Sequence, residues 1–503
     1  MTSLLLLIAD LESRGIILSL VDGEIRYRSP KHALTDADRD GLRSRRQEII
    51  QWLTAREGAR NLRGIKGREG RLSVSVAQEM WWRFAGGAEE GKPIALNIGM
   101  VGQFRASPEA VTAAVRQVIA RYDALRVSFR AEGEILHPSL NPADALEVEQ
   151  EDFRSLGLDA ARNAAQASGR EFCARVNLIE GTWLTRARVI ALPDGEAMAV
   201  ISSAHMIADG GTRNIVIDEI RDILEYGVPR AAPSVSFNAY SVAERDVLSA
   251  PQGAALIDYW RGWYDDQPVM TSPSGKVPML WGNGIRTVRN FTFPAAVLDK
   301  VRARAESLKV TPFLVCLTIF SLAMARWSGL ERFPVRVLGD KRTSVDLANT
   351  VGLMFCADAV EIRAPSGQAF ETTLRGIMTS YDASLALRIP SLHFWAPYCV
   401  RPGIEVRDFP NKIPAVFNYY SVGTAREKAE KKTAGNAVAA WPPEIVKLEQ
   451  VWPRRSSPVF LHLIDNGDEL AASLHFYQNV VSEADQESFV ACLFQIFGET
   501  VGI

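Results

Sequence analysis

The sequence predicts a mixed α/β protein of more than one domain, and three observations carry that expectation. The chain has 503 residues, more than one hydrophobic core accommodates. From about residue 71 onward, helical and strand-like patterns alternate over a length that calls for two lobes. Ahead of them stands a short unit with helix and hairpin signals of its own. The expected boundaries are 1–57 for that unit, 58–70 for a linker, 71–245 for the first lobe and 246–503 for the second.

In the N-terminal unit, Thr2 or Ser3 caps a helix over Leu4 to Ser13, which Gly15 stops. The runs Ile16–Val21 and Glu24–Arg28 flank Asp22-Gly23, the dipeptide that best supplies positive φ to a tight hairpin. Thr35 and Asp38 form a capping box at the head of a helix ending near Arg56. The glycine- and charge-rich stretch Gly58–Gly70 reads as a flexible linker. In the first lobe, Ser107-Pro108-Glu109 opens a helix with Val111, Val115, Val118 and Ile119 on its buried face. A strand is expected over Leu125–Phe129, and two more around Trp183–Leu192 and Ala197–Ser203, separated by the turn Pro193-Asp194-Gly195. In the second lobe, Thr311-Pro312 starts an apolar helix running to Trp327, and Thr424–Pro443 reads as a surface loop.

Composition limits the function. With 47% hydrophobic and 23% charged residues, a net charge of −2 and a pI of about 6.4, the chain is no general nucleic-acid or membrane-surface binder. The cysteines at 173, 316, 356, 399 and 492 are far apart and form no C-x-x-C pair, which argues against a disulfide framework or zinc and fits a reducing cytoplasm. No apolar run of membrane-spanning length appears. The Leu4–Ile8 run lacks a basic leader and a cleavage site and is met at once by Asp10.

The most informative stretch is Ser202-Ser203-Ala204-His205-Met206-Ile207-Ala208-Asp209-Gly210-Gly211-Thr212. An apolar strand runs into it, and a helix with Val216, Ile217, Ile220, Ile223 and Leu224 on one face follows. His205 therefore sits on a strand-to-helix loop, where glycines let backbone N–H groups approach a ligand and the helix N-terminus adds a positive field. That arrangement suits acyl transfer, one group handling a proton and others holding an oxyanion. From the local pattern alone, a structural histidine remains the competing reading. His32, His137, His393, His462 and His475 have no metal-like partner at i+3 or i+4. No G-x-S-x-G elbow, P-loop or G-x-G-x-x-G after a strand is present.

The His205 loop resembles the H-H-x-x-x-D-G signature of condensation domains of nonribosomal peptide synthetases. Other segments match that family in order. Ser75-Val76-Ala77-Gln78-Glu79-Met80-Trp81 resembles S-x-A-Q-x-x-x-W, and Arg121–Phe129 resembles R-H-E-x-L-R-T-x-F. Tyr259-Trp260 resembles the Tyr-Trp pair before the second lobe; Gly339–Arg342 with Val351–Phe355 resembles the G-x-x-R and I-G-x-F-V-N-T pair; Val416–Tyr419 resembles a second-lobe strand. The match covers about residues 71 to 500.

The resemblance implies two chloramphenicol acetyltransferase-like lobes in a V shape with a tunnel between them. Carrier-bound thioester enters from one side and the acceptor, an amine or hydroxyl, from the other. His205 matches the histidine assigned to chemistry, Asp209 the structural aspartate, Arg342 its arginine partner from the second lobe, and Gly210 the glycine approaching substrate. Ala204 stands where the signature has its first histidine, Gly211 where a tryptophan often follows, and the motif around Tyr381–Pro390 is poorly matched. No cofactor is expected to bind directly, because the substrate rides on the phosphopantetheine of a carrier.

No G-G-x-S carrier segment or adenylation domain occurs, so a free-standing enzyme is expected, releasing or extending a polyketide or peptide chain. The N-terminal unit resembles β-hairpin docking domains, which capture a short linear motif at a partner's C-terminus by strand addition. Arg26, Arg28, Lys31, Arg43, Arg45 and Arg46 supply charge for an acidic tail. An epimerisation-type domain and a non-catalytic recruitment platform are the rival readings, Ala204 alone favouring the platform.

Overall fold

The computed structural model describes residues 2–21, 23–31, 33–61, 70–85, 93–94, 97–133, 135–175, 177–178, 183–230, 232–280, 282, 285–342, 344–387, 411–421 and 456–502. The expected loop Thr424–Pro443 and the end of the Tyr381–Pro390 segment lie outside them.

In the first lobe, four strands run in the order Asn97–Phe104, Ala197–Ala204, Thr185–Ala191, Val148–Asp152. Every residue of Ala197–Ala204 is buried, because both faces of this central strand are covered. Ala197, Ala199 and Ile201 pack under the helices Pro108–Arg121 and Gly210–Tyr226. Met198 and Val200 pack under Leu158–Ala174. A continuous apolar run is what burial on both faces demands. The strand ends at Ala204 and so delivers His205 to the C-terminal end of a central strand. Before the strand Val127–Glu132, residues Asp123–Arg126 make a helical turn, so the strand starts later than expected. Within that turn Asp123 Oδ1 accepts from Ala124 N–H at 2.7 Å, a local bond that competes with extension.

The second lobe is a six-stranded sheet, ordered Arg286–Phe293, Leu470–Tyr477, Val459–Asp465, Ala415–Ser421, Arg332–Asp340, Phe355–Arg363. Thr311 caps the helix Pro312–Ser328, whose side chains are buried nearly all round. It lies in the core with the sheet and the helices Ala295–Leu308 and Glu483–Val501. That explains its apolar composition without a membrane. No single helix among the described residues is long and apolar enough to cross one.

In the N-terminal unit, Ile17–Val21 pairs antiparallel with Glu24–Arg28, and Gly23 has φ 76°. The Thr35–Asp38 capping box forms. The helix expected from there to Arg56 is two helices, Asp36–Ser44 and Arg46–Asn61, broken at Arg45. The second continues into the start of the expected linker.

The unit does not keep its core to itself. Leu4, Ile8, Leu11, Ile49, Trp52 and Leu53 share one apolar cluster with Leu256, Ile257, Trp260 and Trp263 of the helix Pro251–Asp265. Trp52 is buried in that seam. Truncating it leaves a large void between two parts of the molecule. Trp52→Ala is expected to lower stability by about 3–5 kcal/mol in denaturant titration. A loss below about 1 kcal/mol would show that the seam contributes little.

Candidate functional site between strand end and helix start

The site is built on the turn from Ala204 to Gly210. Ile207 N–H bonds back to Ala204 carbonyl at 2.9 Å. Asp209 caps the helix Gly210–Tyr226, its Oδ1 accepting from Thr212 N–H at 2.8 Å. His205 is held between these points, with Nδ1 2.9 Å from Ala208 carbonyl oxygen. A carbonyl only accepts, so Nδ1 carries the proton and Nε2 keeps its lone pair. Burial lowers the His205 pKa below its ordinary value, with the Asp209 charge opposing the shift. The imidazole stacks on Trp81, centroids 4.9 Å apart and planes at 28°. Phe355 stands edge-on at 6.4 Å.

Asp209 and Arg342 form a bidentate pair across the lobes, Nη2 to Oδ1 at 2.9 Å and Nη1 to Oδ2 at 3.1 Å. Each side chain is only 6% exposed. Every polar atom around the pair is occupied. Asp209 Oδ2 also accepts from Met354 N–H at 2.7 Å. Arg342 donates to Thr350 and Gly352 carbonyls at 2.7 and 3.1 Å. Thr212 Oγ1 donates to Gly352 carbonyl at 2.8 Å. Burial works against the Arg342 charge, but Asp209 and Asp340 outweigh it and raise the Arg342 pKa.

The two glycines differ. At Gly210 a Cβ would meet nothing within 4 Å, whereas at Gly211 it would lie 2.9 Å from Arg342 Cζ and 3.0 Å from Asp340 Oδ2. Ala204 is buried in the apolar cluster of Val74, Trp82, Phe129, Leu184 and Met206.

Reading the sequence residue by residue missed Trp81 and Phe355 as neighbours of His205, and missed the anchoring of the helix Val76–Ala85. Ser75 and Gln78 cap one another reciprocally, Gln78 N–H to Ser75 Oγ at 3.1 Å and Ser75 N–H to Gln78 Oε1 at 2.9 Å. The S-x-x-Q pattern carried that signal. Glu244, fully buried, accepts from Val76 N–H at 2.7 Å and lies 3.8 Å from Lys341 Nζ. Arg245 holds Val74 carbonyl at 2.8 Å and Glu79 at 2.5 Å.

Arg26, Arg28 and Lys31 are exposed. Arg46 is paired with Glu24 at 2.8 Å and Arg43 with Asp40 at 3.5 Å. Arg45, at the break between helices, is half-buried. On the outer face of the hairpin, Arg26 and Arg28 stand opposite Ser19 and Ile17. Among the described residues no cluster of His, Cys, Asp and Glu could hold a metal.

A family model described as "Condensation domain" matches residues 69–385, and one described as "TubC N-terminal docking domain" matches residues 6–54. The chain belongs to the condensation-domain family, acyltransferases that form amide and ester bonds. It is 25% identical over 336 residues to phosphinothricin tripeptide synthetase PhsC of Streptomyces viridochromogenes, covering 63% of this chain and 30% of that protein. With bacitracin synthase 2 of Bacillus licheniformis it is 24% identical over 393 residues, 75% of this chain and 14% of that one. The chain thus spans less than a third of the length of these relatives. A solved structure from work on condensation domain-mediated chain release from the enacyloxin polyketide synthase superposes with TM-score 0.86 at 32% identity, covering 100% of this chain and 97% of that one. The condensation domain of Monacolin K polyketide synthase MokA gives TM-score 0.67 at 17% identity, covering 85% and 96%, a likeness of fold. The fold is therefore the mixed α/β, chloramphenicol acetyltransferase-like one.

Gly211→Ala separates crowding from helix propensity. Alanine favours a helix over glycine by up to about 1 kcal/mol, yet here its Cβ must displace Arg342. The variant is expected to melt lower than wild type in calorimetry. A higher melting temperature would mean that Arg342 moves aside freely.

Proposed function

We propose that this chain transfers an acyl group from the phosphopantetheine thioester of a carrier protein to an amine or hydroxyl acceptor, with His205 as general base. The observation that carries the reading is the Nδ1–H bond to Ala208 carbonyl, which leaves Nε2 able to accept. The acceptor's proton passes to Nε2 as its nitrogen or oxygen bonds to the thioester carbon. The C–S bond then breaks and the proton passes to the departing thiolate. Burial suits a base that is neutral before the reaction. The N-terminus of the helix Gly210–Tyr226 places positive field where the oxyanion develops. The open space at Gly210 leaves room for substrate there. Asp209 and Arg342 hold the loop and transfer no proton.

Likeness to a chain-release condensation structure favours release or extension of a polyketide or peptide chain. Ala204 does not by itself argue for an inert platform, because the loop is held by Asp209, Arg342 and the Ile207–Ala204 turn. The N-terminal unit recruits the carrier by adding its C-terminal tail as a strand beside the hairpin, steered by Arg26 and Arg28. The free cysteines suit the reducing cytoplasm.

His205→Ala is expected to lower turnover by at least ~10²-fold. In the wild type, kcat/KM should rise with pH as His205 loses its proton, with the midpoint of the rise below the ordinary histidine value. Wild-type turnover in folded His205→Ala would contradict the base assignment.

The docking reading is tested by charge reversal, because deleting the unit would strip the shared core. Arg26→Glu with Arg28→Glu should raise KM for the carrier roughly fivefold or more, two rim charges each contributing up to about 1 kcal/mol. Turnover of a small pantetheine thioester should not change. An unchanged carrier KM would refute this role for the hairpin.

A further inference from the structure

We propose that Trp81 is a positioning residue for His205, its indole face fixing the plane of the imidazole and stabilising the imidazolium formed when the base takes its proton. This rests on the assignment of His205 as the base. The rings stack at 4.9 Å with planes 28° apart, within the distance at which a cation is attracted to an aromatic face. The indole N–H is buried and has no hydrogen-bond partner among the described residues, so the ring is held by packing and acts through its face.

The physical need is specific. Burial suits the neutral base and opposes the cation that follows, because it penalises the charged ring. An aromatic face helps the charged ring more than the neutral one. It therefore stabilises the transition state more than the ground state, which is the condition for raising kcat. Few other charges face the imidazole. On its own loop there is Asp209, whose charge is matched by Arg342. Phe355 on the strand Phe355–Arg363 is uncharged. On the helix of Trp81, Glu79 is taken up by Arg245.

Trp81 is itself fixed from three sides. The reciprocal Ser75–Gln78 cap starts its helix, Glu244 receives Val76 N–H, and Arg245 clamps Val74 and Glu79. Lys341, beside Arg342 in sequence, approaches Glu244 from the second lobe. The stacking face and the histidine loop thus reach the same two consecutive residues.

The test is an NMR titration of labelled imidazole in the full chain, with the His205 signal assigned by its loss in His205→Ala, alongside turnover. Trp81→Leu keeps the site apolar and removes the aromatic face. The His205 pKa should then fall by roughly 0.7 or more, and kcat by about 5- to 30-fold, with KM for the carrier little changed. Trp81→Phe, which gives up no hydrogen bond, should restore most of both. An unchanged or raised pKa in Trp81→Leu, or a Phe variant no better than Leu, would overturn the inference. If Trp81→Leu fails to fold, Trp81→Met, equally apolar and without an aromatic ring, takes its place and the same outcomes decide. Should His205→Ala retain turnover, the base assignment fails, while the titration still decides whether Trp81 acts on the imidazole.

Discussion

The buried pair between Asp209 and Arg342 is the constraint on which the site depends. Asp209 is at once the cap of the helix that follows the histidine loop and the acceptor for Met354 N–H of the second lobe. One carboxylate therefore fixes where the helix begins, how the loop closes and where the second lobe sits. Such a pair adds little net stability, since desolvating two charges offsets most of their attraction. Breaking it is another matter, because the remaining charge is left buried at a cost of about 3–5 kcal/mol. The pair is better understood as a specification of geometry than as a source of stability.

The same logic repeats one residue earlier. Lys341 approaches Glu244, and Glu244 receives the N-terminus of the helix that carries Trp81. Consecutive residues of the second lobe thereby address the two first-lobe elements that meet at His205. Gly211 is the steric condition for this arrangement, since any side chain there would occupy the place of Arg342. The N-terminal unit extends the pattern by a different force. It joins the helix Pro251–Asp265 through apolar contact around Trp52, Trp260 and Trp263, so the N-terminal unit shares a core with the rest of the chain.

Much of this was legible in the sequence because local chemistry decided it. The apolar run of the strand before His205, the cap Thr311-Pro312, the hairpin glycine and the Thr35–Asp38 box each follow from nearest neighbours. What was not legible depends on distant pairs. Periodicity cannot say that Trp81 meets a histidine more than a hundred positions away, nor that Phe355 stands at its edge. The break at Arg45 was hidden because helical periodicity continues through it. The shared core around Trp52 was hidden because an amphipathic helix does not name the partner of its apolar face. Family resemblance supplied the pairing of Asp209 with Arg342, while spacing alone left the partner of Asp209 open.

The most direct measurement is a double-mutant cycle on Asp209→Ala and Arg342→Ala, read both as unfolding free energy and as turnover. If the pair is one unit, each single variant should be severely impaired and the double variant little worse than either. That corresponds to a coupling of about 2 kcal/mol or more. Effects that simply add, with coupling below about 0.5 kcal/mol, would contradict the claim that this contact holds the histidine loop in place.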